Sequence, residues 1–148
     1  MTKNSSCKNN MPEKQIIHFP EGLLGIPHLN KYIMLSPEKK LPFMYLQSVE
    51  EEALAFIVID PYLYMPDYSF DISDDVIDFL GVTKESDILV LSVVVIPSDI
   101  SRMTANFAAP VLINVNNRRA KQIVLQDDKY RIRQPIFEIY KSIVNRGA

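Results

Sequence analysis

Between Ile57 and Ile72 the chain reads IVIDPYLYMPDYSFDI, with Asp74 just beyond. Carboxylates at Asp60, Asp67, Asp71 and Asp74 alternate with the rings of Tyr62, Tyr64, Tyr68 and Phe70 around two prolines. Three chemistries use such material. Two carboxylates flanking a sugar can serve as acid and as base or nucleophile, and Asp60 and Asp67 on either side of the YLYMP turn would be the pair. Aromatic faces can stack nucleic-acid bases when basic groups surround them. Tyr-rich loops carrying a distinct charge also serve as surfaces for another protein.

Composition separates these readings. No Lys or Arg occurs between Lys40 and Lys84, while nine acids do: Glu50, Glu51, Glu52, Asp60, Asp67, Asp71, Asp74, Asp75 and Asp78. The sign is wrong for RNA, because the rings lie in the stretch that would repel phosphate. From Arg102 onward the balance reverses, with nine bases against Asp127, Asp128 and Glu138. Arg118, Arg119 and Lys121 in that half read as a solvated face of a hairpin. An enzyme would need more than carboxylates. The chain has no GxSxG or HExxH, and its four glycines fit neither a P-loop nor a dinucleotide fingerprint. His18 and His28 stand alone, and Cys7 is the single cysteine, so no intrachain disulfide can form and no zinc set is complete. A chain of 148 residues without tryptophan is also poor material for a carbohydrate enzyme. No catalytic residue, metal or cofactor is expected. A protein-binding module remains, with Asp60, Tyr62, Tyr64, Asp67, Tyr68, Asp71 and Asp74 as its candidate contacts. The alternative that the tyrosines plug the end of the fold stays open on residues alone.

The elements that must position these groups are mostly short strands. QIIHF is cut by the loop PEGLLGIP, KYIML follows, and PFMYLQSV and ALAFIVID face each other across Glu50, Glu51 and Glu52 as a hairpin. ILVLSVVVI is β-branched and too short for a bilayer, so no membrane span is expected. TANFAAPVLINV follows, its Pro110 arguing for an edge or a bulge. Asn106 is expected to hydrogen-bond a turn there, with Phe107 buried. VLINVNNRRAKQIVL reads as a hairpin in which Asn116 and Asn117 tolerate the left-handed conformation. One short helix is well signalled, with Ser73 as N-cap, Asp74 and Asp75 in its first turn, Gly81 at its C-terminal cap, and Ile72 and Ile77 as a staple. A second follows from Ile136, Ile139, Tyr140 and Ile143 in PIFEIYKSIV. The expected fold is all-β, an antiparallel β-barrel-like single domain over residues 14–148 with one or two short helices. Residues 1–13, polar and without an apolar core to suggest a secretory signal, read as a disordered N-terminal tail of a cytoplasmic protein.

Several stretches together resemble one family, the flagellar assembly factor FliW: HFPEGLLGIPHLNKYIML, PFMYLQSVEEEALAFIVIDPYLYMPDYSFDI, ILVLSVVVIP, MTANFAAPVLIN and AKQIVLQDDKYRIRQPI. They run in the same order from about Ile16 to Ile136; the tail up to Pro12 and the helical end lie outside this shared core. The resemblance implies a cytoplasmic, non-enzymatic, barrel-like adaptor and chaperone that binds flagellin and the translational regulator CsrA. In that scheme the free factor holds CsrA off flagellin messenger RNA, and accumulating flagellin takes the factor away. The acidic segment would face the basic RNA-binding surface of CsrA, and an apolar groove lined by Tyr62, Tyr64 and Tyr68 would take a flagellin helix. The alternatives are a family copy that binds only flagellin and a small β-barrel that binds RNA directly. No direct nucleic-acid contact and no membrane contact are expected.

Overall fold

The strongest strand signal, ILVLSVVV, forms the longest strand. It is β7, Ile88–Val95, in a computed structural model that describes residues 2–3, 15–36 and 42–147. Its apolar run is nearly unbroken because both of its faces are covered. Leu89 and Leu91 point to one core, while Ile88, Val90 and Val94 point to the other. On one side β7 pairs with β9 (Val111–Asn114) and then β10 (Ala120–Gln122); on the other it pairs with β5 (Ala55–Ile59). From β5 the antiparallel order runs through β4 (Met44–Ser48) and β3 (Lys31–Leu35) to β2 (Ile16–His18). β8 (Thr104–Ala105) also pairs with β7, and β11 (Gln134–Pro135) pairs with β8. An isolated bridge between His18 and Arg119, with the His18 amide donating to the Arg118 carbonyl at 2.8 Å, joins the outer strands and nearly closes the sheet into a barrel.

The barrel interior is filled by every strand of that circuit. Ile17, Tyr32, Leu46, Val58, Leu91, Val111, Ile113 and Ala120 meet there. A second core lies outside the barrel wall, between β5, β7 and β9 and an outer layer of short helices. This layer starts with α1 (Pro61–Tyr64). The sequence suggested only a proline-bounded loop here, but the Asp60 carboxylate accepts the Tyr62 amide at 2.9 Å and Pro61 sits at the start, which suffices for one turn of helix. β6 (Phe70–Asp71) follows, then α2 (Asp74–Leu80). The N-cap of α2 is Ser73, whose hydroxyl accepts the Val76 amide, and Gly81 ends it at φ 70°. Among the described residues three α-helices therefore stand where one or two were expected, the last being α3 (Phe137–Gly147).

Three local expectations need correction. Asn116 and Asn117 do not take the left-handed residue of the β9–β10 turn; Arg118 does, at φ 63°. The side chains of Asn114 and Asn117 are committed to hydrogen bonds instead. Asn117 Oδ1 accepts the Arg119 amide, and the Nδ2 groups of Asn114 and Asn117 both donate to the Leu80 carbonyl, closing the end of α2. Pro110 stands just before β9, an internal strand, so it breaks no ladder; its carbonyl accepts the Ile123 amide. In α3 the inward face is Ile136, Phe137, Tyr140 and Ile143, with Tyr140 stacked on Phe43 at 5.0 Å. Phe137 has more apolar area to bury than Ile139, and the stripe turns so that Ile139 is 39% exposed.

The expected N-terminal tail lies outside the described residues except for Thr2–Lys3 (β1), which pair antiparallel with β6. The loop after β2 depends on one glycine. At Gly22, φ is 67° and a Cβ would lie 2.4 Å from the Ile26 carbonyl oxygen. That contact is with backbone, so Gly22→Ala is expected to lower stability by about 2 kcal/mol or more through strain at a left-handed position. A fall in the thermal midpoint checks this, with the exposed Gly25, where a Cβ meets nothing within 4 Å, as the milder comparison.

Candidate functional site

The two halves of the D/Y-rich stretch separate cleanly. Its rings turn inward: Tyr68 is fully buried, and Tyr62, Tyr64 and Phe70 are 8% exposed or less. Tyr68 packs against Tyr62, Phe70, Phe107 and Tyr130 at centroid distances of 4.7–5.9 Å, and its hydroxyl donates to the Phe107 carbonyl at 2.7 Å. Burial pushes the Tyr68 and Tyr64 phenols well above their usual range. The expectation that Tyr62, Tyr64 and Tyr68 line an open groove is therefore corrected: they plug the space between the barrel wall and the outer layer. The apolar area of these rings has its best partner there, and none of it is left for a ligand.

The carboxylates turn outward. Asp67, Asp71, Asp74, Asp75 and Asp78 are all exposed along the link after α1, β6 and α2. Asp60 is half-buried and acts as the cap of α1. Asp74 and Asp75 also favour the α2 N-terminus, without losing their exposure. Glu50 belongs elsewhere. Its carboxylate accepts the amides of Asn30 and Lys31 at 2.7 and 2.9 Å, and those bonds, Asn30 first, hold it below the usual carboxylate range. Beside β6 a cleft of about 640 Å³ runs between Ser69–Ser73 and Ile123–Asp127, with Asp71 and Asp127 on its walls. Among the described residues no group of His, Cys, Asp or Glu is placed to hold a metal ion.

The basic hairpin that raised the question of RNA is engaged with the acidic helix's own ring. The Arg119 guanidinium lies 4.5 Å from the centroid of Phe79 on α2, and the Lys121 ammonium lies 5.0 Å from it. Lys121 also pairs with Glu21, and Arg118 donates to the Gln15 side chain. These contacts tie β10 to its surroundings.

The sequence did not single out the mouth of the barrel. Leu23, Leu24, Phe56, Val93, Val95, Thr104, Asn106, Gln122, Ile132 and Arg133 surround a groove of about 220 Å³. Leu24, Val95 and Ile132 are 55, 62 and 67% exposed. Its rim is fixed. Gln122 accepts the Leu24 amide through Oε1 and donates through Nε2 to the Ala109 carbonyl, and the Phe107 amide donates to the Arg131 carbonyl. The one available signal was that the β7 run stays apolar to its last residue, Val95, which a fully covered strand does not distinguish from an open end.

A family model described as FliW protein matches residues 1–136. The chain is 41% identical over 131 residues to a flagellar assembly factor FliW of Caldanaerobacter subterraneus subsp. tengcongensis, covering 88% of this chain and 87% of the relative. It is 40% identical over 127 residues to the same factor of Alkaliphilus metalliredigens, covering 85% and 78%. The chain belongs to the FliW family. A crystal structure of the flagellar assembly factor FliW superposes with a TM-score of 0.78 at 31% identity, over 91% of this chain and 95% of that one. The nearly closed antiparallel barrel is thus the FliW fold. In this FliW chain the stretches that carried the resemblance are largely architectural. The FPEGLLG loop needs Gly22, and in TANFAAP Asn106 Oδ1 accepts the amides of Ala108 and Ala109 while Phe107 is buried, as expected of a turn at a core strand. No helix among the described residues is long and apolar enough to cross a membrane.

Proposed function

We propose that this FliW chain is a cytoplasmic adaptor and chaperone that binds flagellin and, when free of it, holds CsrA off flagellin messenger RNA. The observation that carries the reading is the orientation of Asp67, Asp71, Asp74, Asp75 and Asp78, all exposed on the outer layer of a segment without a single base. Such a face attracts a basic RNA-binding surface and repels the phosphates that compete for it. With flagellin occupying the factor, a lowered affinity for CsrA completes the switch, whether by overlap or by coupling. The non-enzymatic character of the adaptor agrees with the use of Asp60 as a helix cap.

Co-purification from cells with the tagged chain tests this reading. Flagellin and CsrA should both be captured, with CsrA recovery falling when flagellin export is blocked. Flagellin alone would make this a copy that has given up the regulator. Capture of neither, together with salt-sensitive retention of flagellin leader RNA by the purified chain, would replace the adaptor with a direct RNA binder.

A further inference from the structure

We propose that the barrel mouth is a docking groove for an amphipathic partner helix that carries a carboxylate beside its apolar stripe. Three features of the mouth select this occupant. The first is apolar exposure concentrated in one concave place: Leu24, Val95 and Ile132 are each more than half exposed around a single groove floored by Phe56 and Val93. Grooves of this kind in barrel mouths are the usual apolar binding sites.

The second is that the groove offers little backbone ladder to extend. Thr104 pairs with Val95 of β7 on one side and with Pro135 of β11 on the other, so the lining strand β8 has no open edge, and β11 beyond it is only two residues long. Both ends of the Gln122 side-chain amide and the Asn106 Oδ1 are already used. What the groove offers is side-chain surface, which a helix meets with residues at i, i+3 and i+4. The third is charge. Arg133 lines the groove and Arg131 flanks it, both exposed, and among the described residues neither has a carboxylate partner. A carboxylate one turn from the apolar stripe of the incoming helix would complete Arg133 in a bidentate pair. The acidic face cannot serve the same helix, because its rings are buried and its sign is opposite.

The choice of flagellin as the test partner rests on the adaptor reading. The experiment compares the full chain with V95D/I132D and with R133E, measuring binding to purified flagellin and to purified CsrA. The two apolar positions are solvent-exposed, and an unchanged thermal midpoint checks that the variant folds. V95D/I132D should bind flagellin about 10- to 100-fold more weakly, as expected when two central apolar contacts become charged. R133E should lose less, by a factor that shrinks as salt rises, and CsrA binding should stay unchanged in both. Equal flagellin affinity in V95D/I132D and the unaltered chain would overturn the groove and leave the adaptor standing. If the unaltered chain holds no flagellin, the adaptor reading falls, and a synthetic Leu/Glu amphipathic helix then tests the groove alone. Methyl shifts at Leu24, Val95 and Ile132 support it, and no shifts overturn it. A concentration-dependent dimer abolished by V95D/I132D would also overturn it, by assigning the mouth to a second copy of the chain.

Discussion

Tyr68→Ala is expected to remove a large part of the chain's stability and lower its thermal midpoint sharply. The side chain is fully buried and touches Tyr62, Phe70, Phe107 and Tyr130 at once, so its removal takes the centre from the outer core. Truncating a large buried ring costs about 3–5 kcal/mol, against a total stability of about 5–15 kcal/mol for an ordinary domain. Tyr68→Phe isolates the polar part of that loss. It keeps the packing and leaves the Phe107 carbonyl without the hydroxyl that now donates to it, a change of about 1–2 kcal/mol. Titration separates the two further. The folded state raises the Tyr68 phenol above its value in the unfolded chain, so the contribution is complete below the unfolded pKa and is lost as pH rises above it. Alkaline unfolding should therefore set in above about pH 10 with a parallel rise in tyrosinate absorbance, and Tyr68→Phe should move that limb upward. A Tyr68→Ala chain with a cooperative melt near the parent's would show that this ring is not the keystone of the outer core.

That result bears on how far the sequence could be read. The antiparallel barrel was legible because its signals are local: loose alternation in MYLQS, the short apolar run AFIVI, the charged turn between them, and the caps of α2 at Ser73 and Gly81. The direction of the tyrosines was not, since Tyr62 and Tyr64 lie within the short α1 and Tyr68 in the link beyond it, so no single period spans the three. Their inward turn is decided by Phe107 and Tyr130, which approach from far along the chain. The exposure of the carboxylates was legible for the converse reason: a carboxylate is costly to take out of water. The mouth groove escaped because it is assembled from six separate segments, around Leu24, Phe56, Val95, Thr104, Gln122 and Ile132, each unexceptional by itself. The left-handed residue at Arg118 escaped because Asn117 beside it has a second use, joining Asn114 on the carbonyl that ends α2.

If the chain is the adaptor proposed above, reversing Asp67, Asp71 and Asp74 to Lys is expected to remove most of its affinity for CsrA. The three side chains are exposed on consecutive parts of the outer layer, and no base in the chain between Lys40 and Lys84 offsets them. At about 1 kcal/mol for each reversed charge in a water-like dielectric, the triple variant should bind about 100-fold more weakly. Salt decides whether the mechanism is electrostatic. Screening lengths of about 30 Å at 0.01 M and 8 Å at 0.15 M ionic strength mean that the gap between parent and variant should be widest in dilute buffer and narrow as salt is added. The neutral triple Asp→Asn variant should fall between the two at every salt concentration. Asp74 needs its own control because it stands in the first turn of α2, where a lysine opposes the helix dipole and costs up to about 1 kcal/mol. A modest drop in thermal midpoint is therefore expected, without loss of cooperativity. Flagellin binding is the internal standard, since the mouth groove uses none of these residues. A gap between parent and variant that stays constant across salt would put the recognition of CsrA in shape and packing, not in the acidic face.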